Sequence, residues 1–277
     1  MNIQKIITDL ETKDPEVYQR LDSRREAMKS FASFGSKIAL AAVPIALGSM
    51  FKKAYGQSTT DVVEVLNSAL TLEYLEAAFY DQALLKGVAL IPSGAATSAI
   101  TTIKNHERAH VNTLKAIINS LNGTPVAEPI FDFTAKGTFI DVFTNYQTFL
   151  AVAQTFEDTR VRAYKGQIVF LINNSSVLTA ALQIHSVEAR HASHIRQMRK
   201  ALNPSVVIKP WITLDQTGGI GSAVQASYNG ESLTVQAGIK IVGIGGNINI
   251  TNVQASEAFD EPLTKAQVLA IVNPFFK

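Results

Sequence analysis

Two pairs of residues repeat along the chain with a spacing that suits metal binding. Glu107 precedes His110 by three residues, in the segment Glu-Arg-Ala-His. Glu188 precedes His191 by the same step, in the segment Glu-Ala-Arg-His. Side chains three residues apart lie on one face of an α-helix, so each pair would present a carboxylate and an imidazole together. One such pair is a weak signal, because it arises easily by chance.

A second repeat strengthens the signal. Glu73 precedes Tyr80 by seven residues, and Glu157 precedes Tyr164 by the same distance. A step of seven also keeps two side chains on one helix face. Each half of the chain therefore carries an isolated glutamate with a tyrosine above it, followed by one Glu-x-x-His pair. The sequence predicts two copies of one metal-binding unit that face each other.

The residue types indicate a site for two metal ions. Two divalent cations a few ångströms apart repel each other, and bridging carboxylates supply the negative charge that holds them together. Six protein ligands leave positions where water, peroxide or dioxygen can bind. An isolated Glu from each of two helices and Glu-x-x-His from each of two others is the ligand pattern of di-iron and di-manganese bundles. We predict two iron or manganese ions, with Glu73, Glu107, His110, Glu157, Glu188 and His191 as ligands.

Several neighbouring residues leave alternatives open. Glu76 lies one turn from Glu73 and is an alternative ligand, although the spacing to Tyr80 favours Glu73. Tyr80 and Tyr164 either hydrogen-bond the ligands or are ordinary core residues. Without a metal, the carboxylates would need protons or other partners. We expect surface positions, or places beside the ligands, for His106, His185 and His194, and solvated faces for Arg162, Lys165 and Arg190.

Apolar residues at three- and four-residue steps predict four helices that position these side chains. The helices are expected at about 61–86, 95–121, 138–166 and 176–202. The connections between them are short, long and short, and the long one spans about 122–137. Two helical hairpins joined by one crossover form a four-helix bundle in this way. The sequence therefore predicts a mainly α protein.

The chain changes character after the bundle. Residues 213–253 are rich in glycine, asparagine, threonine and β-branched residues, and the alternation at 233–241 predicts a β-hairpin. Residues 263–272 predict a last short helix. We therefore divide the chain into a bundle at 57–203 and a C-terminal extension at 204–277. The extension is expected either to pack on the bundle or to mediate homo-oligomer formation.

The first residues read as an export signal. Arg24-Arg25 precede a moderately apolar stretch from Phe31 to Phe51, and small residues precede Gln57. This order resembles a twin-arginine signal, so we predict one at 1–56 and a periplasmic or extracytoplasmic location. An amphipathic helix of the mature protein and an uncleaved anchor are the alternatives. No other segment is long and apolar enough to span a membrane, so no stable span is expected after processing.

Composition excludes several classes of protein. The 277 residues carry a formal net charge of only +2, which offers no broad basic surface for nucleic acid. The chain contains no cysteine. Disulfides, zinc–thiolate sites and iron–sulfur clusters are therefore excluded.

With these motifs in place, residues 61–202 resemble the ferritin-like superfamily. More narrowly, the chain is similar to bacterial ferritin-like-domain proteins that carry twin-arginine signals and include desiccation-associated relatives. The resemblance is carried by the segments 72–80 (LEYLEAAFY), 188–192 (EARHA) and 257–263 (EAFDEPL). It implies iron or manganese at the six predicted ligands, and it leaves the activity open.

Two classes of function remain. The first is redox chemistry on peroxide, oxygen or ferrous iron in stress protection, as a ferroxidase or a manganese catalase-like enzyme. The second is a non-catalytic envelope or assembly protein that uses the bundle as a scaffold. The lack of cysteine argues against a rubrerythrin-type peroxidase with its own rubredoxin-type iron centre. Export and the long extension argue against a cytosolic storage cage.

Overall fold

The computed structural model describes residues 59–236, 239–243 and 249–277. The predicted export signal at 1–56 lies outside the described residues. Among the helices that the structure describes, none combines the length and the apolar character needed to cross a membrane.

Within the described residues, four long helices form the bundle. They are α1 (Thr59–Leu85), α2 (Ala95–Ser120), α3 (Tyr146–Ile168) and α4 (Ser175–Leu202). The most extensive contacts join α1 to α2 and α3 to α4, so each consecutive pair is a hairpin. The crossover between α2 and α3 is the long connection. The predicted mainly α bundle with one crossover is confirmed.

The start of α3 differs from the prediction. A helix from about residue 138 was expected, but α3 begins at Tyr146. Asn145 precedes it with an extended backbone, and its side chain accepts hydrogen bonds from the backbone N–H groups of Gln147 at 3.0 Å and Thr148 at 3.4 Å. Such a cap satisfies donors that the first turn of a helix leaves unpaired. Residues 134–144 form turns instead, and they lengthen the crossover.

Aromatic side chains fill the core between the crossover and the helices. The ring of Phe79 on α1 stacks on Phe149 of α3, with centroids 5.1 Å apart. It also meets Phe156 edge-on at 5.1 Å and Phe133 of the crossover at 5.4 Å. Aromatic pairs in these geometries add to the stability that burial provides. The crossover is therefore part of the core and helps to fix α1 against α3.

The C-terminal extension contains a small hairpin and two short helices. Strands β1 (Val235–Gln236) and β2 (Ile239–Lys240) pair antiparallel, and the helices are α5 (Asn252–Ala258) and α6 (Lys265–Val272). The predicted hairpin and last helix are confirmed, although each strand has only two residues. Capping boxes start both helices, at Thr251 and at Thr264. Val272 and Phe275 then join the main core.

A buried arginine fastens the extension to α3. The side chain of Arg162 is 1% exposed and pairs with the Glu231 carboxylate at 2.6 Å. Its guanidinium also donates to the carbonyls of Ser227, Asn229 and Glu261, at 2.5, 3.0 and 2.8 Å. The expectation that Arg162 is solvated is wrong, because the extension covers this face of α3. A buried cation needs such a full set of partners to offset its lost hydration.

Two further contacts bring the extension close to the bundle. Tyr228 donates a 2.8 Å hydrogen bond to Asp158 on α3. The Asp158 carboxylate also accepts from Nε and Nη2 of Arg196 on α4. At Gly166 the backbone of α3 comes so near the extension that a Cβ atom would lie 1.9 Å from the carbonyl oxygen of Leu263. Only glycine permits that approach.

Candidate metal centre

The six predicted ligands meet in the middle of the bundle. Glu73 lies on α1, Glu107 and His110 on α2, Glu157 on α3, and the second Glu-x-x-His pair on α4. All four glutamates are fully buried, and both histidines are buried as well. Charged groups are almost never buried to this extent without partners. The site is therefore built at considerable energetic cost.

The first half of the site surrounds His110. Its Nδ1 atom lies 2.9 Å from an oxygen of Glu188, and 3.4 Å from oxygens of both Glu73 and Glu107. One donor atom from each of these four residues falls within 4.8 Å of all the others. A single metal ion fits a group of oxygen and nitrogen donors this close together.

The second half surrounds His191 in the same way. Its Nδ1 atom lies 2.9 Å from Glu107, 3.4 Å from Glu188 and 3.5 Å from Glu157. These four residues form the second group with donor atoms within 4.8 Å of one another. Glu107 and Glu188 belong to both groups, and each turns one oxygen toward each histidine. Their two oxygens are therefore shared between the two groups.

Each isolated glutamate is held by a tyrosine from the opposite hairpin. Tyr80 on α1 donates a 2.5 Å hydrogen bond to Oε1 of Glu157 on α3. Tyr164 on α3 donates a 2.5 Å hydrogen bond to Oε1 of Glu73 on α1. The structure thus places both tyrosines against ligand candidates, which was one of the two sequence alternatives. Each hydrogen bond leaves the other carboxylate oxygen facing the centre.

The oxygen and nitrogen atoms that face the centre have no hydrogen-bond partner. This holds for both oxygens of Glu107 and Glu188, for Oε2 of Glu73 and Glu157, and for Nδ1 of both histidines. Nearly all buried polar atoms in proteins are satisfied, so a converging group of unsatisfied ones calls for an explanation. Four carboxylates and two imidazoles match the charge and ligand preferences of two iron or manganese ions. The residues present fit such a pair.

The electrostatics of the protein without metal point the same way. Burial, reinforced by the neighbouring Glu188, raises the pKa of Glu107 to about 8. Burial also raises the pKa of Glu157 to about 8, against the attraction of His191. Burial alone would lower the pKa of His110, but the closeness of its Nδ1 atom to the carboxylates of Glu73, Glu107 and Glu188 raises it to about 12. The cluster therefore holds protons that a metal ion would displace.

The alternative ligand Glu76 has a different partner. Its carboxylate pairs with the buried guanidinium of Arg160, with Nε to Oε2 at 2.6 Å. Arg160 also places Nη1 3.5 Å from Oε1 of Glu73. Sequence reasoning missed Arg160, although a signal was available: Arg160 follows Glu157 by three residues, as Glu76 follows Glu73. The ion pair thus joins equivalent positions of the two repeated units.

Of the three other histidines considered, one touches the site. The Nδ1 atom of His106 lies 2.9 Å from Nε2 of His191, and the two rings stack with centroids 5.2 Å apart. His106 itself is exposed on α2, so it connects the second half of the site to the surface. His185 is partly buried and His194 is exposed. Neither belongs to the two donor groups.

Comparison with known proteins agrees with the fold and the site. The family model described as "Ferritin-like domain" matches residues 61–201, just over half of the chain. The chain belongs to the ferritin-like domain family. Searches of the curated proteins and of the solved structures each return no significant match. The match covers all four helices that carry the donor groups.

Proposed function

We propose that this protein binds two iron or manganese ions and uses them for redox chemistry on peroxide, oxygen or ferrous iron. One observation carries the proposal: buried oxygen and nitrogen atoms without hydrogen-bond partners form two groups, one around each histidine. The two groups share the carboxylates of Glu107 and Glu188. Glu107 and Glu188 would bridge the ions, and Glu73 and Glu157 would each complete one side. The absence of any other partner for these atoms in the described residues supports the same assignment.

The bound ions would supply the change in oxidation state and the open positions where an oxidant binds. The chain's own residues hold the ligands in place and keep water out. Tyr80 and Tyr164 fix one oxygen of each isolated glutamate. Arg160 brings a positive charge to the Glu73 side, where it offsets part of the carboxylate charge. A stress-protective role follows from the removal of peroxide or of ferrous iron.

Two versions of the redox proposal differ in what they consume. A catalase-like enzyme converts two peroxide molecules into water and oxygen, and it needs no added reductant. A ferroxidase consumes ferrous iron as its substrate together with an oxidant. An oxygen electrode separates the two, with peroxide alone added to metal-loaded protein in one experiment and ferrous iron added in another. Oxygen release favours the first version, and iron-dependent oxygen or peroxide uptake favours the second.

The competing hypothesis is a structural protein that assembles through its extension. The contacts of the extension support it less, because Arg162 and Gly166 show that its inner face packs on its own bundle. A structural protein of this kind would contain little metal and show no turnover. Sedimentation of the full chain and of variants changed on the outer face of the extension tests self-association separately.

Metal content per chain, measured by mass spectrometry after purification without chelators, tests the proposal directly. We expect about two iron or manganese ions per chain, as the di-metal pattern requires. Glu107→Gln and His191→Ala should each lose metal. Glu64→Gln and His194→Ala are matched controls, since these residues lie exposed on helices α1 and α4 of the same bundle. Metal-free parent protein after anaerobic loading would contradict the proposal.

We propose export on sequence grounds, from Arg24-Arg25 and the apolar stretch that follows. The test is fractionation of cells that express the full chain. Arg24→Lys with Arg25→Lys should keep the protein in the cytoplasm, whereas Arg20→Lys, a nearby control, should not change its location. Equal distribution of both variants and the parent would contradict twin-arginine export.

A further inference from the structure

A cavity of about 270 Å³ lies between α1, α3 and α6. Its wall is almost entirely apolar and includes Leu72 of α1, Ala163 of α3, and Val268 and Leu269 of α6. Ligand sites are commonly apolar hollows of about 300–1,000 Å³ with a few polar groups at defined places, and this cavity lies near the lower end of that range. The extension contributes one side of the hollow, so the cavity exists only when α6 is docked.

The cavity shares a wall with the metal centre. Tyr164 and Arg160 both line it. The same two side chains contact the Glu73 carboxylate, at 2.5 Å and 3.5 Å respectively. A molecule in the cavity would therefore be separated from the Glu73 side of the centre by only these two side chains.

The charges around the cavity are already paired. Lys265 forms an ion pair with Glu64, and Arg160 forms one with Glu76. These pairs account for every charged side chain that lines the hollow, all of them in the described part of the chain. A charged ligand would lose its hydration and gain no free countercharge. The lining therefore favours an uncharged molecule.

We propose that this cavity binds a small uncharged aliphatic molecule beside the Glu73 side of the metal centre. Its volume equals that of about nine water molecules in the liquid, which sets the size of the ligand. A straight chain of about eight carbons with a hydroxyl end is of this scale. Binding needs no metal, so the inference goes beyond the proposed function and stands or falls separately from it.

Calorimetric titration of the full chain with 1-octanol tests the proposal, with octanoate as the charged comparison. We expect saturable binding of one octanol per chain, and at least tenfold weaker binding of octanoate. The absence of saturable octanol binding would overturn the proposal. Tighter binding of octanoate than of octanol would overturn the uncharged assignment and with it the proposed class of ligand.

Matched variants locate the binding. Leu269 lines the cavity and is 48% exposed, while Leu182 on α4 lies outside it and is 45% exposed. Leu269→Asp should weaken octanol binding at least tenfold, and Leu182→Asp should leave it unchanged. Equal binding by both variants would overturn the site.

A second pair changes volume instead of charge. Ala69→Leu fills the cavity, whereas Ala78→Leu places the same side chain on the same helix outside it. Only the first should weaken octanol binding. Metal content is measured on each variant in parallel. If the protein binds octanol but takes up no metal, the cavity proposal stands and the metal proposal fails. If it takes up metal but binds no octanol, the metal proposal stands and the cavity proposal fails.

Discussion

The hydroxyl of Tyr80 on α1 donates a 2.5 Å hydrogen bond across the bundle to Glu157 on α3. The same bond runs in the opposite direction from Tyr164 to Glu73. Each hairpin therefore positions the isolated glutamate of the other. A shift of one hairpin against the other would disturb both candidate ligands at once, so the packing of the bundle and the geometry of the centre are coupled.

Tyr80→Phe should weaken metal binding without unfolding the protein. The variant keeps the ring in the core but leaves Oε1 of Glu157 without its donor. Loss of such an outer hydrogen bond typically lowers metal affinity about 10- to 100-fold. Competition with a calibrated chelator measures the change. Tyr74→Phe is the control, because Tyr74 is a buried tyrosine of α1 that bonds a backbone carbonyl at Val126, away from the cluster. Equal affinities in both variants would show that the Tyr80 bond does not hold a ligand.

Metal should stabilise the folded protein by linkage. At a free metal concentration of one hundred times Kd, a single site adds about 2.7 kcal/mol to the free energy of unfolding. For a domain of this size, that raises the melting temperature by roughly 5–10 °C. Differential scanning calorimetry with and without manganese measures the shift. Glu188→Gln should abolish it and Glu64→Gln should keep it. A shift that survives in Glu188→Gln would place the metal elsewhere.

Metal affinity should rise with pH. In the metal-free protein, burial raises the pKa of Glu107 and of Glu157 to about 8, so both carboxyls hold protons near neutral pH. His110, with its pKa raised to about 12 by the carboxylates despite its burial, is also protonated. A bound ion must displace these protons, so binding releases them and strengthens between about pH 6 and 8. Titrations in two buffers of different ionisation enthalpy count the protons. Affinity that stays constant over this range would contradict the proton release.

Gly166→Ala should destabilise the protein, although the same change stabilises most helices by about 1 kcal/mol. The new methyl group would lie 1.9 Å from the carbonyl oxygen of Leu263, and a backbone atom cannot turn aside. We expect a loss of about 1–3 kcal/mol, the range for overpacked sites. Urea unfolding measures it. A gain in stability would show that the backbone at Leu263 can shift to admit the methyl group without destabilising the protein.

The helices and the donor residues were predictable because both follow simple periods. Apolar steps of three and four residues give four helices, and Glu107 and Glu188 stand three residues before their histidines. The spacing to Tyr80 favoured Glu73 over Glu76, and the structure brings Glu73, not Glu76, into a donor group. These relations are local, and local relations are visible in a sequence.

Most of the rest depends on contacts between distant parts of the chain. Arg162 was expected in solvent because arginine is seldom buried, and only the folded extension supplies its partners from Ser227 to Glu261. Apolar periodicity placed the start of α3 near residue 138. The Asn145 cap, which periodicity does not detect, sets the start at Tyr146 instead. Arg160 is buried because Glu76, 84 positions away, meets it across the bundle. The burial of the two arginines therefore follows from distant residues, whereas the Asn145 cap is local.

The burial of Arg162 also sets an order of events during synthesis. The guanidinium on α3 finds its partners only in residues 227–261, which leave the ribosome after all four long helices have been made. Until then the nascent bundle carries an uncovered cation and an incomplete core on α3. Domains generally fold as their residues emerge, but here the last step must wait for the extension. The synthesis of residues 227–261 therefore sets the earliest point at which this face of α3 can be buried.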